Sequence, residues 1–216
     1  ISVAYDRLVV LRDVSLEANE GESIGIFGPN GHGKTTLLKT ISGLLKPLKG
    51  AVFYRDRAIT GLTPEEIVNL GIAHVPQGSK IFPDLTVGDN LLMGAFNSAA
   101  WRARRENVES VYGVFPHLKE LAKRKGVHLS GGERQMLAVG RGLMANPKVL
   151  MLDEPSLGLS PKVCLDLIDR IKHIRTAFHS TIVLVEQNVL CLSELADRLY
   201  LIENGQVVLQ GERDRV

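Results

Sequence analysis

The sequence predicts an α/β fold in which a parallel sheet forms the core, an antiparallel sheet packs beside it, and a helical lobe is inserted into the core. Short apolar runs, typical of buried parallel strands, alternate with segments of helical spacing. Residues 149–152 are such a run, residues 72–75 predict an earlier strand, and the pattern between the two is largely helical. We therefore predict one domain, with the core and antiparallel sheet at residues 1–85 and 146–216 and the helical lobe at residues 86–145.

A phosphate-binding loop is predicted at residues 28–35, which follow the pattern G-x-x-x-x-G-K and then Ser or Thr. A short apolar strand precedes the loop and a helix at residues 35–41 follows it, which is the context that this motif requires. Backbone N–H groups and a helix N-terminus can then hold a polyphosphate, with Lys34 as a charge and the Thr35 hydroxyl as an Mg²⁺ ligand. The predicted nucleotide-binding residues here are Gly28, Pro29, Asn30, Gly31, His32, Gly33, Lys34, Thr35 and Thr36.

Two adjacent acids, Asp153 and Glu154, follow the apolar run at residues 149–152. Adjacent acids can also belong to a solvated turn. Ligands of open α/β sheets, however, bind at the carboxyl ends of the strands. Because a P-loop enzyme needs an acid for Mg²⁺ after a buried strand, we predict that these residues belong to the nucleotide site.

A second helix start at residues 130–133 contains two glycines between Ser130 and Glu133, which form a capping box. Each glycine in a first turn costs up to about 1 kcal/mol relative to alanine. Unobstructed N–H groups at a positive helix end would offset that cost by binding an anion. On its own, this pattern indicates only a capped helix, so the anion site is one of two interpretations.

The first third of the chain contains several further predicted elements. Residues 13–19 alternate apolar and polar side chains, which predicts a half-buried strand, and residues 51–54 predict another strand. The P-loop helix is predicted to end at Gly43. A capping box with proline at the first helical position begins a helix at residues 63–66, and that helix is predicted to end at Gly71.

The helical lobe begins with a capping pair, Thr86 and Asp89, and it contains an apolar stripe at helical spacing. We predict that the stripe packs in the core. Its members are Trp101, Val108, Val111, Tyr112 and Phe115.

The last third predicts a helix that begins at Ser160, a buried strand at residues 181–186 and a short helix at residues 188–196. A hairpin with an Asn-Gly turn at residues 204–205 follows.

Composition sets bounds on function. The chain has 216 residues, is 44% hydrophobic and has a formal net charge of +2, which does not indicate nucleic-acid binding. Two cysteines without a C-x-x-C spacing fit a reduced, cytosolic protein. No apolar stretch is long enough to span a bilayer.

The order of these motifs resembles the ATP-binding subunit of ABC transporters, over essentially the whole chain. The resemblance rests on the P-loop, Gln77 after a strand, residues 129–133 (Leu-Ser-Gly-Gly-Glu, hereafter the signature) and residues 152–155 (Leu-Asp-Glu-Pro). It implies the P-loop NTPase fold of ABC ATPases, ATP and Mg²⁺ as cofactors, and ATP hydrolysis.

Four stretches narrow the resemblance to the high-affinity branched-chain amino acid importer ATPases, although urea importer ATPases share much of the pattern. The stretches are residues 75–78, 81–87, 154–159 and 184–188.

The resemblance also implies roles for individual residues. Lys34 holds phosphates, Glu154 polarises the attacking water, and Gln187 stands where a switch histidine is usual. Tyr5 stacks on adenine. The implied Mg²⁺ ligands are Thr35, Gln77 and Asp153, and the residues that contact the γ-phosphate of a partner subunit's nucleotide are Ser130, Gly131, Gly132 and Glu133.

The implied partners are a second ABC ATPase subunit, in a homo- or heterodimer, and transmembrane permease subunits, with no nucleic acid. The expected location is the cytoplasmic face of the cell membrane. Departures from the usual family pattern are Glu133 for Gln, Gln187 for His, Ser160 for Asp and His32 for a small residue. They leave slow or altered hydrolysis open.

The sequence is compatible with three functions. The leading one is the ATPase of an importer for branched-chain amino acids, with urea or another solute as the alternative cargo. A soluble ABC ATPase for DNA repair or translation usually carries a long coiled-coil insertion or two cassettes, which do not fit in 216 residues. A regulatory ABC ATPase with low turnover is the third, and Gln187 favours it while Glu154 argues against it.

Overall fold

A mixed six-stranded sheet organises the fold of the protein, for which a computed structural model describes residues 1–213. The strands are β1 (Val3–Tyr5), β2 (Leu8–Leu11), β3 (Ser23–Phe27), β4 (Phe53–Tyr54), β5 (Arg57–Ala58), β6 (Ile72–Val75), β7 (Val149–Asp153), β8 (Thr181–Val185), β9 (Arg198–Glu203) and β10 (Gln206–Glu212). The helices are α1 (Lys34–Ile41), α2 (Pro64–Asn69), α3 (Val87–Gly94), α4 (Ser98–Arg102), α5 (Arg104–Val114), α6 (Pro116–Glu120), α7 (Gly131–Leu143), α8 (Pro161–Phe178) and α9 (Val189–Ser193). A short 3₁₀ turn forms at Gly126–His128.

The large sheet has the strand order β10-β9-β3-β8-β7-β6, and all neighbouring pairs are parallel except β10 with β9. Two antiparallel pairs, β1 with β2 and β4 with β5, form separate small sheets. In the register of the large sheet, Val75 lies opposite Leu152, and Asp153 lies opposite Val185. The residues that follow β6, β7 and β8 therefore leave the sheet at the same edge.

Side chains from the two faces of the sheet enter two separate cores. Leu150 and Leu152 point into one core with the helices from α3 to α8, whereas Met151 of the same strand joins the other core with α1. Both faces are covered, which explains why the central strands are continuous apolar runs rather than alternating ones. Leu91 and Phe115 of the inserted helices belong to the first core, so these helices are anchored directly on the sheet.

Local capping signals are confirmed. Thr63 and Ser130 each accept a hydrogen bond from the N–H group three residues later, and both capping boxes are complete. Thr86 caps α3 in the same way, without the reciprocal contact. Gly43 and Gly71 follow their helices with φ of +75° and +94°, in the left-handed region that glycine adopts without strain.

The strand predicted at residues 13–19 is wrong, because this segment pairs with no strand in the part of the chain that the structure describes. Its backbone carbonyls accept hydrogen bonds from side chains instead. The Tyr200 hydroxyl donates to the Glu17 carbonyl at 3.0 Å, and Thr181 Oγ1 donates to the Asn19 carbonyl at 3.2 Å. Val14 is buried, so the alternation reflects packing on the sheet rather than ladder formation.

The predicted apolar stripe is correct except at Trp101. Val111 and Phe115 are buried, but Trp101 is 50% exposed and has the Arg104 guanidinium 4.4 Å from its ring centre. The helix is interrupted at Ala103, so Trp101 belongs to α4 and does not share the phase of α5. The strand predicted at residues 51–54 and the helix predicted at residues 188–196 are present but shorter.

No helix within residues 1–213 is both long and apolar enough to cross a membrane. The last three residues of the predicted range 146–216 lie outside the described residues.

Candidate functional site

The P-loop connects β3 to α1, and two of its glycines are required by close packing. Gly28 has φ +145° and a Cβ atom there would overlap the Ile202 carbonyl oxygen. Gly33 has φ +104°, and a Cβ atom there would overlap the Leu11 side chain. Because Gly33 is also the residue before α1, the loop brings its backbone directly onto the N-terminus of that helix.

A cavity of about 340 Å³ lies between this loop and the carboxyl edge of the sheet. Its lining combines P-loop residues with residues that follow β6, β7 and β8. The lining residues are Asn30, Gly31, Gly33, Lys34, Thr35, Thr36, Gln77, Glu154, Leu157 and Gln187. The structure therefore brings together most of the residues that the sequence assigned to phosphate binding and hydrolysis.

Glu154 is the point at which these elements meet. Its Oε2 accepts a hydrogen bond from Gln77 Nε2 at 2.8 Å and another from Gln187 Nε2 at 3.0 Å. Its Oε1 is 3.7 Å from Lys34 Nζ, and both side chains are buried. The residue has φ +46°, and its N–H donates to the Val185 carbonyl at 2.9 Å. This backbone conformation is uncommon for a non-glycine residue, and it directs the carboxylate into the cavity.

The Lys34 ammonium group is bound by carbonyl oxygens of the P-loop itself. Its Nζ donates to the carbonyl oxygens of Gly28 at 2.7 Å and Pro29 at 3.0 Å. An ammonium group has three donors, so these carbonyls and Glu154 surround it. A phosphate that enters the loop would compete with these oxygens for the same donors.

Asp153 and Thr35 provide oxygen atoms suited to a divalent cation. Thr35 Oγ1 donates to Asp153 Oδ1 at 3.1 Å, whereas the buried Oδ2 has no hydrogen-bond partner within the described residues. Burial raises the pKa of Asp153, and the Glu154 charge adds to the rise, while the Thr35 hydroxyl opposes it. An unpartnered buried carboxylate oxygen is costly in an apolar surrounding, and a hard cation would satisfy it.

No group of three or more His, Cys, Asp or Glu side chains that could hold a metal occurs in residues 1–213. A cation at Asp153 would therefore be held partly by neutral oxygens. Thr35 contributes a hydroxyl, and Gln77 uses its amide nitrogen on Glu154, which leaves its amide oxygen to act as a ligand. The donor set is hard and suits Mg²⁺.

Two contributors were missed at the sequence level. Glu186 is buried, and its Oε1 accepts a hydrogen bond from the Ser156 N–H at 2.8 Å, which fixes the loop after Glu154. Burial raises the pKa of Glu186, and the nearby Glu154 charge contributes to the rise. Leu157 lines the cavity. An acid directly after the apolar run of β8 was the available signal for Glu186.

Some predicted site residues do not line the cavity. Tyr5 is 41% exposed at the end of β1. His32 Nδ1 accepts a hydrogen bond from the Asn204 N–H at 3.0 Å, so this side chain contacts the β9–β10 hairpin. Gly28 and Pro29 contribute through their carbonyl contacts with Lys34 rather than as lining.

The signature also lies outside the cavity, at the N-terminus of α7. Glu133 Oε2 accepts from the Ser130 N–H at 2.7 Å, while Ser130 Oγ accepts from the Glu133 N–H at 3.3 Å. A Cβ atom on Gly131 would meet no atom within 4 Å, whereas one on Gly132 would press on Val163 of α8. The first turn of α7 is thus open at Gly131 and closely packed at Gly132.

The sequence model of one protein family, described as ABC transporter, matches residues 11–157. The chain belongs to the ABC transporter family. The match includes the P-loop, Gln77, the signature and Glu154, which are the motifs that carry the resemblance. The chain is therefore an ATP-binding cassette with ATPase activity, and the predicted cofactor ATP is confirmed.

Two relatives of this ATPase carry names that specify a cargo. The high-affinity branched-chain amino acid transport ATP-binding protein BraG of Pseudomonas aeruginosa is 41% identical over 209 residues, covering 97% of this chain and 89% of its own length. The probable branched-chain amino acid transport ATP-binding protein LivF of Archaeoglobus fulgidus is 40% identical over 211 residues, with coverage of 98% and 89%.

The crystal structure of a nucleotide-free ATP-binding cassette from an ABC transporter superposes with a TM-score of 0.87 at 30% identity, covering 98% of this chain and 88% of that one. The predicted fold class is thereby confirmed.

Proposed function

We propose that this ATPase drives an importer of branched-chain amino acids. The observation that carries the cargo assignment is the likeness to two relatives named for that transport, at 41% and 40% identity over nearly the whole chain. The observation that supports the chemistry is the convergence of Gln77, Gln187 and Lys34 on the Glu154 carboxylate.

Binding depends on the P-loop and the first turn of α1. Their N–H groups and the Lys34 ammonium receive the phosphate oxygens of ATP, and the helix dipole adds to the attraction. Thr35, Gln77 and Asp153 would hold Mg²⁺, which neutralises charge on the β- and γ-phosphates. Tyr5 is assigned to adenine stacking, because it lies on the short hairpin β1–β2, whose Leu11 packs on Gly33 of the loop.

Hydrolysis depends on Glu154, which orients and deprotonates the attacking water. The two glutamine amides fix one carboxylate oxygen and leave the other towards Lys34. Gln187 donates a hydrogen bond without carrying charge near neutral pH, unlike the histidine that is usual at this position. We assign Gln187 the role of a neutral sensor that exchanges its contact with Glu154 for one with the γ-phosphate.

A second ABC ATPase subunit completes the site. The signature does not line the cavity of its own chain, yet its helix end is open at Gly131, so we assign it to the γ-phosphate on the partner subunit. The pair is a homo- or heterodimer. Transmembrane permease subunits would contact the region after Gln77, residues 78–90, where Phe82 is exposed, and would place the ATPase at the cytoplasmic face of the membrane.

The proposal is tested by amino acid uptake in cells. Deleting the gene is expected to reduce leucine, isoleucine and valine uptake, and the wild-type gene, but not the Glu154→Gln gene, should restore it. If uptake of all three stays normal while urea or another solute is no longer taken up, the cargo assignment is wrong and the ATPase assignment stands.

A regulatory role with low turnover is the second candidate, and the neutral Gln187 at hydrogen-bond distance from Glu154 favours it. Steady-state hydrolysis with and without permease subunits separates the two. A transporter subunit should be stimulated by the permease, whereas a regulatory module should remain slow in both states.

A further inference from the structure

His117 of α6 lies between two carboxylates. Its Nδ1 is 2.9 Å from Glu120 Oε2, and its Nε2 is 3.0 Å from Glu133 Oε1 in the signature. Ionised carboxylates only accept hydrogen bonds, and a neutral imidazole has a single N–H donor. Both contacts are therefore hydrogen bonds only when both ring nitrogens carry protons, so this geometry is that of an imidazolium ion.

Two charged groups, Glu120 and Glu133, favour the protonated form of His117, whereas burial opposes it. Glu120, on the same helix, raises the pKa of His117 most, and Glu133 on α7 adds to the rise. On α5, which also packs against α6, Glu109 is paired with Lys119 at 2.8 Å. Burial opposes ionisation of Glu133, but the Ser130 N–H and His117 outweigh it and lower the pKa of Glu133. Both shifts favour the ionised form of the His117–Glu133 pair.

The His117–Glu133 pair lies at the N-terminus of α7. The second oxygen of Glu133 caps α7 through the Ser130 N–H, so the carboxylate lies at the helix end that we assign to a phosphate. A negative charge there would oppose an incoming γ-phosphate, whereas the family's commoner glutamine would not. His117 supplies the one cationic contact of Glu133 among the described residues.

We propose that His117 is a positioning residue for the phosphate-facing end of α7. Its imidazolium holds the Glu133 side chain against α6 and offsets its charge, so that the γ-phosphate meets backbone N–H groups rather than an uncompensated carboxylate. The inference rests on the proposed contact between the signature and the nucleotide of a second subunit.

The test measures ATP hydrolysis of the complex as purified with its partner subunits, from pH 6 to pH 9. His117→Ala should lower the rate at pH 7 by roughly two- to fivefold, the typical effect of a charge at a helix end. Glu133→Gln removes the carboxylate, so His117→Ala should then have no further effect. A greater loss from His117→Ala in the wild type than in the Glu133→Gln background supports the proposal, and equal losses overturn it.

The pH profile excludes a merely structural role. The wild-type rate should fall relative to that of His117→Arg as the pH rises above the ordinary histidine value of about 6.5 and through the raised pKa of His117. Arginine keeps its charge throughout this range. Identical profiles for the two proteins would overturn the proposal. Glu120→Gln removes the contact that raises the pKa of His117 most, so the fall in its rate should begin at a lower pH than in the wild type, and an unchanged profile would also overturn the proposal.

Failure of the underlying function is detected separately with Gly131, where a side chain meets no steric obstacle. Gly131→Asp adds a negative charge to the first turn of α7, and Gly131→Ala is its uncharged control. If only the aspartate variant loses hydrolysis while His117→Ala does not, the phosphate site stands and the role of His117 is wrong. If the two Gly131 variants hydrolyse ATP equally, the signature does not face a phosphate. Both the proposed contact of the signature with the partner's nucleotide and the proposed role of His117 are then wrong.

Discussion

At the scale of single residues, the nucleotide cavity concentrates charge in a small buried space. Lys34 and Glu154 are both almost fully buried, and each has the other as an ionic neighbour at 3.7 Å. Buried charges persist only when they are paired and hydrogen-bonded. The carbonyls around Lys34 and the amides around Glu154 provide these hydrogen bonds, so both side chains are held in the place where ATP chemistry needs them.

Lys34→Ala tests the phosphate contact. Removing the ammonium group deletes charge-assisted hydrogen bonds worth about 1.5 to 3 kcal/mol each. We expect ATP affinity to fall by at least about tenfold, measured by isothermal titration calorimetry, while Lys46→Ala, which changes an exposed lysine, leaves it unchanged. Equal affinities of the wild type and Lys34→Ala would reject the assignment of the phosphate site.

Asp153→Asn tests the metal contact. The substitution should weaken Mg²⁺ binding but stabilise the nucleotide-free fold. Hydrolysis should require more Mg²⁺, because a hard cation prefers a charged oxygen ligand. The nucleotide-free protein should nevertheless melt at a higher temperature at pH 7, because burial raises the pKa of Asp153 and its ionised form destabilises the fold. This gain should disappear below the ordinary aspartate pKa of about 3.9, where the carboxyl is protonated in both the folded and unfolded states. An unchanged Mg²⁺ titration would reject the role.

At the scale of elements, the structure shows which parts of the sequence carry local information. The capping boxes at Thr63 and Ser130 were predictable because their partners lie three residues away. The P-loop and the acids after β7 were predictable because the sheet register follows from apolar runs. Residues 13–19 and Trp101 were not, because alternation does not specify a pairing partner and a break at Ala103 changes the helical phase. The contacts of Gln187 and Glu186 depend on sheet order, which no local pattern contains.

The packing of α8 on α9 predicts an unreactive thiol at Cys191. Cys164 and Cys191 are buried with their sulfur atoms 3.0 Å apart, and burial together with Cys164 raises the pKa of Cys191 to about 12. Because only the thiolate reacts, alkylation of Cys191 in the folded protein by iodoacetamide at pH 8 should be on the order of a thousandfold slower than that of a thiol of ordinary pKa. Mass spectrometry of the native protein and of protein in guanidinium chloride measures this. Comparable rates in both states would show that α9 does not protect the pair.

At the scale of the whole molecule, the large sheet separates two hydrophobic cores. One core contains the inserted helices and the other contains α1, and the strands between them deliver Gln77, Glu154 and Gln187 to one edge. Gln77 follows β6, and the segment after it leads to α3, the first of the inserted helices. The division into a core at 1–85 and 146–216 and a lobe at 86–145 remains a prediction, since both parts share one hydrophobic core.

In the proposed mechanism, Glu154 activates the water that attacks ATP in a site enclosed by two subunits. The most direct measurement compares ATP turnover, ATP binding and oligomeric state in the wild type and in Glu154→Gln. The variant should turn over roughly 10² to 10⁴ times more slowly, the usual loss on removing a general base, yet bind ATP and remain as an ATP-bound dimer in gel filtration. Near wild-type turnover in Glu154→Gln would show that another group positions the water and would rule out this role for Glu154.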